Sequence, residues 1–248
     1  MSGHSKWASI KHKKALVDAK RGKMFTKVIR EISVAARLGG GDVDTNPRLR
    51  LAVHSAKDVN MPAENIERAI KKGTGSLEGV HYEEAVYEGY GPSGVAIYVQ
   101  CLTDNKNRTA GEIRNIFSKK YGNMAGHGSV AWLFEKKGFL VVRDDQAGED
   151  QLMEPVLNAG AEDLSRSGNQ FEILTAPNDF EAVKKALDQA EITYESADLQ
   201  MIPKKMVSVS PKEARNVIAL IEALEDHDDV QHVYTNCDIP DEVMKEVA

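Results

Sequence analysis

The hydrophobic pattern of this chain keeps a helical period as far as residue 80 or so, and the first strands beyond that point divide it. Before that point, apolar residues recur at helical spacing; from Tyr82 onward they run in short blocks bounded by glycine and proline, as strands do. A chain with such a break is expected to fold as a helical unit joined to an α+β body.

In the first part, residues 18–38 contain no proline and end at Gly39, Gly40 and Gly41, which stop a helix readily. At ~100° per residue, Phe25, Ile29, Ile32 and Ala36 fall on one side, and Lys23, Lys27, Arg30 and Arg37 fall opposite. One face packs and the other is cationic. A second helix is predicted to start at Asn46 as cap with Pro47 in its first turn, and a third runs from Pro62 to Gly73. The stretch 74–79 reads as a linker.

Beyond it the pattern predicts strands at 85–90 and 94–102, a helix at 109–120, a glycine-rich loop at 122–128, a strand at 129–134 and a short strand at 139–142. Helix 149–158, strands 162–167 and 171–175, helix 179–190 and strand 193–201 then complete a split βαββαβ order. Helix 211–225 and strand 230–235 follow. The expected fold class is multi-domain, α and α+β: a helical N-terminal domain, a middle α+β domain, and a ferredoxin-like βαββαβ domain inserted into the middle one. The corresponding limits are 1–78, then 79–137 with 207–248, and 138–206 for the inserted unit.

The charges are segregated along the chain. The net charge of −6 over 248 residues hides residues 1–75, which carry 16 Lys and Arg against 7 Asp and Glu, and residues 76–248, which carry 16 against 31. A segment at +9 attached to a body at −15 suits an oriented contact with a polyanion. The cations expected to make it are Lys6, Lys11, Lys13, Lys14, Lys20, Arg21, Lys23, Lys27 and Arg30, interrupted only by Asp18. Such side chains bind phosphates without reading sequence; the rival reading is a solvated helical face. Trp7, set among the lysines, stacks on a base or caps the helical core. Arg48 and Arg50 diverge on their helix, so at most one shares the face of Lys57; they bind phosphate, or one is exposed and the other is held in an intramolecular pair.

Asn105, Lys106 and Arg108 stand where a strand hands over to a helix, a place for a secondary phosphate contact or for a structural turn and N-cap. His227 and His232 among Asp226, Asp228 and Asp229 match no metal-ligand spacing, and read as a solvated acidic loop. Cys101 and Cys237 have no metal or disulfide pattern. No glycine run is followed by the Lys-Ser/Thr of a nucleotide loop, and no nucleophile elbow or zinc-protease helix occurs. The expectation is therefore no cofactor, no metal and no catalysis. No apolar run approaches the ~20 residues of a membrane helix, and the expected setting is a reducing cytoplasm. Residues 138–206 carry 6 Lys and Arg against 14 Asp and Glu and lack clustered aromatics, so the inserted unit is expected to contact protein or act as a spacer.

Several segments together resemble the YebC/PmpR family. They are Gly3-His4-Ser5-Lys6-Trp7, Lys20-Arg21-Gly22-Lys23 with Phe25-Thr26-Lys27, Gly39-Gly40-Gly41-Asp42 with Asn46-Pro47-Arg48-Leu49-Arg50, Asn60-Met61-Pro62, Tyr87-Glu88-Gly89-Tyr90-Gly91-Pro92, and Leu102-Thr103-Asp104-Asn105 with Asn107-Arg108-Thr109. The resemblance spans nearly the whole chain and implies a helical domain plus two α+β domains, one inserted in the other. One departure lies at Tyr121-Gly122-Asn123-Met124-Ala125, where the family usually shows Gly-Gly-Asn-Leu-Gly. Members are described as DNA-binding transcriptional regulators, while mitochondrial relatives activate translation of a cytochrome oxidase subunit. The resemblance therefore implies a regulator of gene expression that binds DNA, or alternatively ribosomal RNA on the ribosome. A protein-interaction scaffold is the remaining alternative, with a protein partner engaged by the acidic α+β domains.

Overall fold

The structure, a computed structural model, describes residues 18–247. The chain opens with three helices, α1 (Asp18–Gly39), α2 (Pro47–Asp58) and α3 (Ala63–Gly73). Ile32 and Ala36 are buried with Leu49, Ala56 and Ala69, and Phe25 and Ile29 pack against that cluster, so the apolar stripe read from the sequence is the one that forms the core. Asn46 caps α2 by accepting from Leu49 N at 3.1 Å, while its amide donates to Ala35 O and Gly40 O, both at 2.8 Å. One buried side chain thus ties the end of α1 to the start of α2. The close of α3 approaches α1 so tightly that a Cβ on Gly73 would lie 2.3 Å from Ser33 O, which leaves glycine as the residue that fits.

Two four-stranded antiparallel sheets follow. The first has the order β3-β1-β2-β9 and uses β1 (Glu83–Tyr90), β2 (Ala96–Thr103), β3 (Asn123–Ala125) and β9 (Val230–Thr235). It is covered by α4 (Lys106–Lys119) and α7 (Pro211–Glu225), whose Ile113, Phe117, Val217 and Ile221 meet Val95, Ile97 and Val99. The second has the order β5-β6-β4-β7 and uses β4 (Phe134–Arg143), β5 (Ala161–Ser167), β6 (Gln170–Thr175) and β7 (Ser196–Pro203). Helices α5 (Glu149–Asn158) and α6 (Phe180–Gln189) place Leu152, Val156, Phe180 and Leu187 against its Leu140, Val142 and Ile173. The order strand, helix, strand, strand, helix, strand is the split βαββαβ unit. A short parallel pair, β8 (Val207–Ser208) and β10 (Cys237–Asp238), and a closing helix α8 (Asp241–Val247) complete the described chain.

Three local expectations need correction. Residues 129–134 do not form a strand: a 3-10 turn occupies Ala131–Leu133, and the strand that follows runs without a break from Phe134 to Arg143, absorbing the short strand expected at 139–142. The cause is Glu88, whose carboxylate takes the N–H groups of Gly128, Val130 and Ala131 and so removes them from any ladder. Within the glycine-rich loop, residues 123–125 pair with β1 as an edge strand. Finally, α4 begins at Lys106, three residues earlier than expected, because Asn105 accepts from Arg108 N at 3.1 Å and caps it.

Candidate nucleic-acid interface

Lys6, Trp7, Lys11, Lys13 and Lys14 lie outside the described residues, as do the side chains of Lys20 and Arg21. Of the expected cationic stripe on α1, Lys23, Lys27, Arg30 and Arg37 are described; Arg37 is exposed, and the other three face the loop between α7 and β9. Lys23 Nζ donates to Asp226 Oδ1 at 2.6 Å and to Asp226 O at 3.2 Å, and Lys27 Nζ to Glu225 O at 2.7 Å. Arg30 reaches furthest inward, with its side chain 12 % exposed. Its Nη1 donates to Asp228 O at 2.8 Å, to Leu102 O at 3.2 Å and to Asp229 Oδ1 at 2.6 Å, while its guanidinium lies 5.0 Å from the Tyr82 ring centroid. Carbonyls at the C-terminus of α7 carry partial negative charge and are natural acceptors for cations.

Asp229 is the centre of this junction. Its side chain is 3 % exposed, and its second oxygen accepts from Arg108 Nη2 at 2.7 Å, Thr109 Oγ1 at 2.6 Å and Thr103 Oγ1 at 3.2 Å. Burial pushes the carboxyl up, but the hydrogen bonds from Thr109, Arg108 and Arg30 outweigh it and hold the group down at about 2. The reading of residues 226–229 as a solvated acidic loop is therefore corrected: Asp229 is a buried anion shared by two arginines. Nearby, Asp229 N–H donates to His227 Nδ1 at 3.1 Å, which places the proton of the neutral ring on Nε2, 2.8 Å from Glu112.

Glu112, His227 and Asp229 bring donor atoms within 4.8 Å of one another, the spacing of a metal site. The surrounding charge opposes that use. Arg30 and Arg108 already neutralise Asp229, and Arg108 Nε lies 3.9 Å from Glu112, so an added cation would face two guanidinium groups. The cluster is an ion-pair network that joins the helical part to the first sheet.

The other expected contacts are also engaged within the molecule. Arg48 holds Glu31 in a two-pronged pair at 2.7 and 3.1 Å and reaches Glu84 at 2.6 Å. Arg50 turns to Asp44 O at 2.6 Å and Val43 O at 3.2 Å, with Glu181 of α6 at 3.7 Å. Lys106 pairs with Glu83 at 2.7 Å, and Arg108 adds Asp104 at 2.8 Å. Asn105 serves as the N-cap described above. What sequence reasoning missed is that Asp229 and Glu88 are buried anions that organise this junction and the neighbouring loop. The available signal was Glu88 within a strand between Tyr87 and Gly89, an acid in the middle of its buried stretch.

Among the described residues, no helix is long and apolar enough to cross a membrane. The model of the TACO1/YebC protein N-terminal domain matches residues 5–76, and the model of the TACO1/YebC second and third domain matches residues 82–237. A probable transcriptional regulatory protein of Desulforapulum autotrophicum is 59 % identical, covering 98 % of both chains. One from Geobacter sulfurreducens is 56 % identical over 100 % of both. The crystal structure of a conserved hypothetical protein, Aq1575, from Aquifex aeolicus is similar with a TM-score of 0.86 at 48 % identity, covering 95 % of this chain and 97 % of that one.

Proposed function

Because this chain belongs to the TACO1/YebC family, and its relatives are named probable transcriptional regulatory proteins, we propose that it is a non-enzymatic regulator of gene expression that binds nucleic acid, with DNA as the leading polymer. The observation that carries the proposal is the segregation of charge, 16 cations against 7 anions in residues 1–75 and the reverse excess thereafter. The basic segment contacts phosphates, and the acidic domains turn the molecule outward and engage protein. In this reading the helical domain is 1–78, the discontinuous α+β domain 79–137 with 207–248, and the domain inserted into it 138–206.

With Lys23, Lys27 and Arg30 engaged on residues 225–229, the contact in this reading falls to the cations ahead of them, Lys6, Lys11, Lys13, Lys14, Lys20 and Arg21. That same docking favours a second reading. A helix whose cationic face is already occupied does not enter a major groove, so shape and backbone contact replace base readout, which suits structured ribosomal RNA and a role in translation.

The test is binding to duplex DNA and duplex RNA across a salt series. Lys13→Glu with Lys14→Glu is expected to weaken binding more than tenfold and to flatten the salt slope by about 0.9 for each cation lost on DNA. Unchanged affinity and slope would overturn the assignment. Ultraviolet crosslinking in growing cells, followed by RNase or DNase digestion, then separates the two polymers.

A further inference from the structure

The segment that follows α4 presents aromatic rings to solvent in a way that packing does not explain. Tyr121 is 80 % exposed and Trp132 is 66 % exposed, while the flanking Val130 and Phe134 are buried in an apolar cluster with Tyr234. The chain is anchored on both sides of Trp132 and holds that ring outward. Tyr90 Oη and Trp132 Nε1 donate to the same carbonyl, Ser129 O, at 3.0 and 3.1 Å, so the two rings converge on one residue. Tyr90 also pairs with Asn123, which brings Tyr121 close by along the chain.

The loop is stiffened from within. Glu88 is fully buried and binds the N–H groups of Gly128, Val130 and Ala131 at 2.7, 2.7 and 2.8 Å, with His127 Nδ1 at 3.3 Å and the His127 side chain 87 % exposed. A carboxylate committed to three backbone donors holds the loop in one shape before any partner arrives, which lowers the ordering cost of binding. Cations lie at the same place in an otherwise acidic body. Lys204 N donates to Leu133 O at 2.8 Å, and Lys204 and Lys205 are both exposed and form no ion pair among the described residues. Glu135, across the β4–β7 pairing, forms its ion pair with Lys137 at 3.0 Å and feels the charge of Lys204 at longer range.

We propose that this loop is a second contact surface, separate from the N-terminal cations, which stacks an unpaired nucleic-acid base on Trp132 beside Tyr90 and holds the adjoining phosphates on Lys204 and Lys205. Exposed rings on a rigid backbone next to exposed lysines are the combination that recognises single strands, because every base has a π-face and every linkage an anion. A duplex, whose base faces are covered, gains nothing from Trp132. The inference takes the class of partner from the function proposed above but rests on different residues.

The test uses the full chain and short fluorescein-labelled oligouridylate and oligothymidylate, read by anisotropy, with a duplex RNA alongside. Trp132→Ala and Trp132→Leu are expected to weaken single-strand binding about tenfold, Trp132→Phe to retain most of it, and all three to leave duplex binding unchanged. Lys204→Glu with Lys205→Glu is expected to weaken it further and to flatten the salt dependence. Preference for oligouridylate identifies RNA as the strand, and equal binding identifies any unpaired strand. Single-strand affinity unmoved by Trp132→Ala overturns the proposal and leaves the loop as a protein-contact surface. If Lys13→Glu with Lys14→Glu leaves duplex binding intact while Trp132→Ala still removes single-strand binding, the N-terminal assignment fails and this one stands.

Discussion

Arg30 Nη1 lies 2.6 Å from Asp229 Oδ1, and the two residues are 199 apart in the sequence. Arg108 shares the same carboxylate from the other side at 2.7 Å. The pairing fastens the longest helix of the N-terminal part to the sheet whose edge strand is β9.

Asp229→Ala is expected to destabilise the protein by about 3 kcal/mol, because it leaves the buried Arg30 guanidinium without its anion. Chemical denaturation of the variant and the parent measures this. A loss below about 1 kcal/mol would show that Arg30 finds equivalent partners in Leu102 O and Asp228 O.

The same residue sets an acid limb of stability. Its carboxyl sits at about 2 in the folded chain against an ordinary value of 3.8, a depressed value, so its contribution is fully present above about pH 4 and is lost as pH falls toward 2. Unfolding followed from pH 5 to pH 2 should be steeper in the parent than in Asp229→Asn. Parallel curves would remove Asp229 as the group responsible.

Glu88→Gln tests the loop. Burial raises the carboxyl of Glu88, but the backbone hydrogen bonds from Gly128, Val130 and Ala131 outweigh it and keep the group ionised. The amide of glutamine offers one acceptor where the carboxylate offers two, and turns N–H groups against N–H groups. Amide exchange at Val130 and Ala131 should accelerate at least tenfold, with a stability loss of about 2 kcal/mol. Exchange as slow as in the parent would show that the apolar anchors Val130 and Phe134 hold the loop unaided.

The period of the sequence was enough to find α1 and its packing face, since Phe25, Ile29, Ile32 and Ala36 stand on the side that meets α2 and α3. Asn46 and Pro47 announced the start of α2. The alternation of strands and helices between Phe134 and Pro203 revealed the βαββαβ order, although not the ten-residue length of its first strand, because Glu88 halts the preceding turn from 40 residues away or more.

The stripe of Lys23, Lys27 and Arg30 was equally legible as a cationic face, but not what covers it. In the sequence those side chains look like a surface open to phosphate, and Asp226 to Asp229 look like a surface open to water. Only the tertiary structure joins one to the other. Period and capping are carried by residues three or four apart, so any stretch of chain displays them. The partner of a buried charge is chosen by which segments the cores bring together, and no single stretch contains that choice.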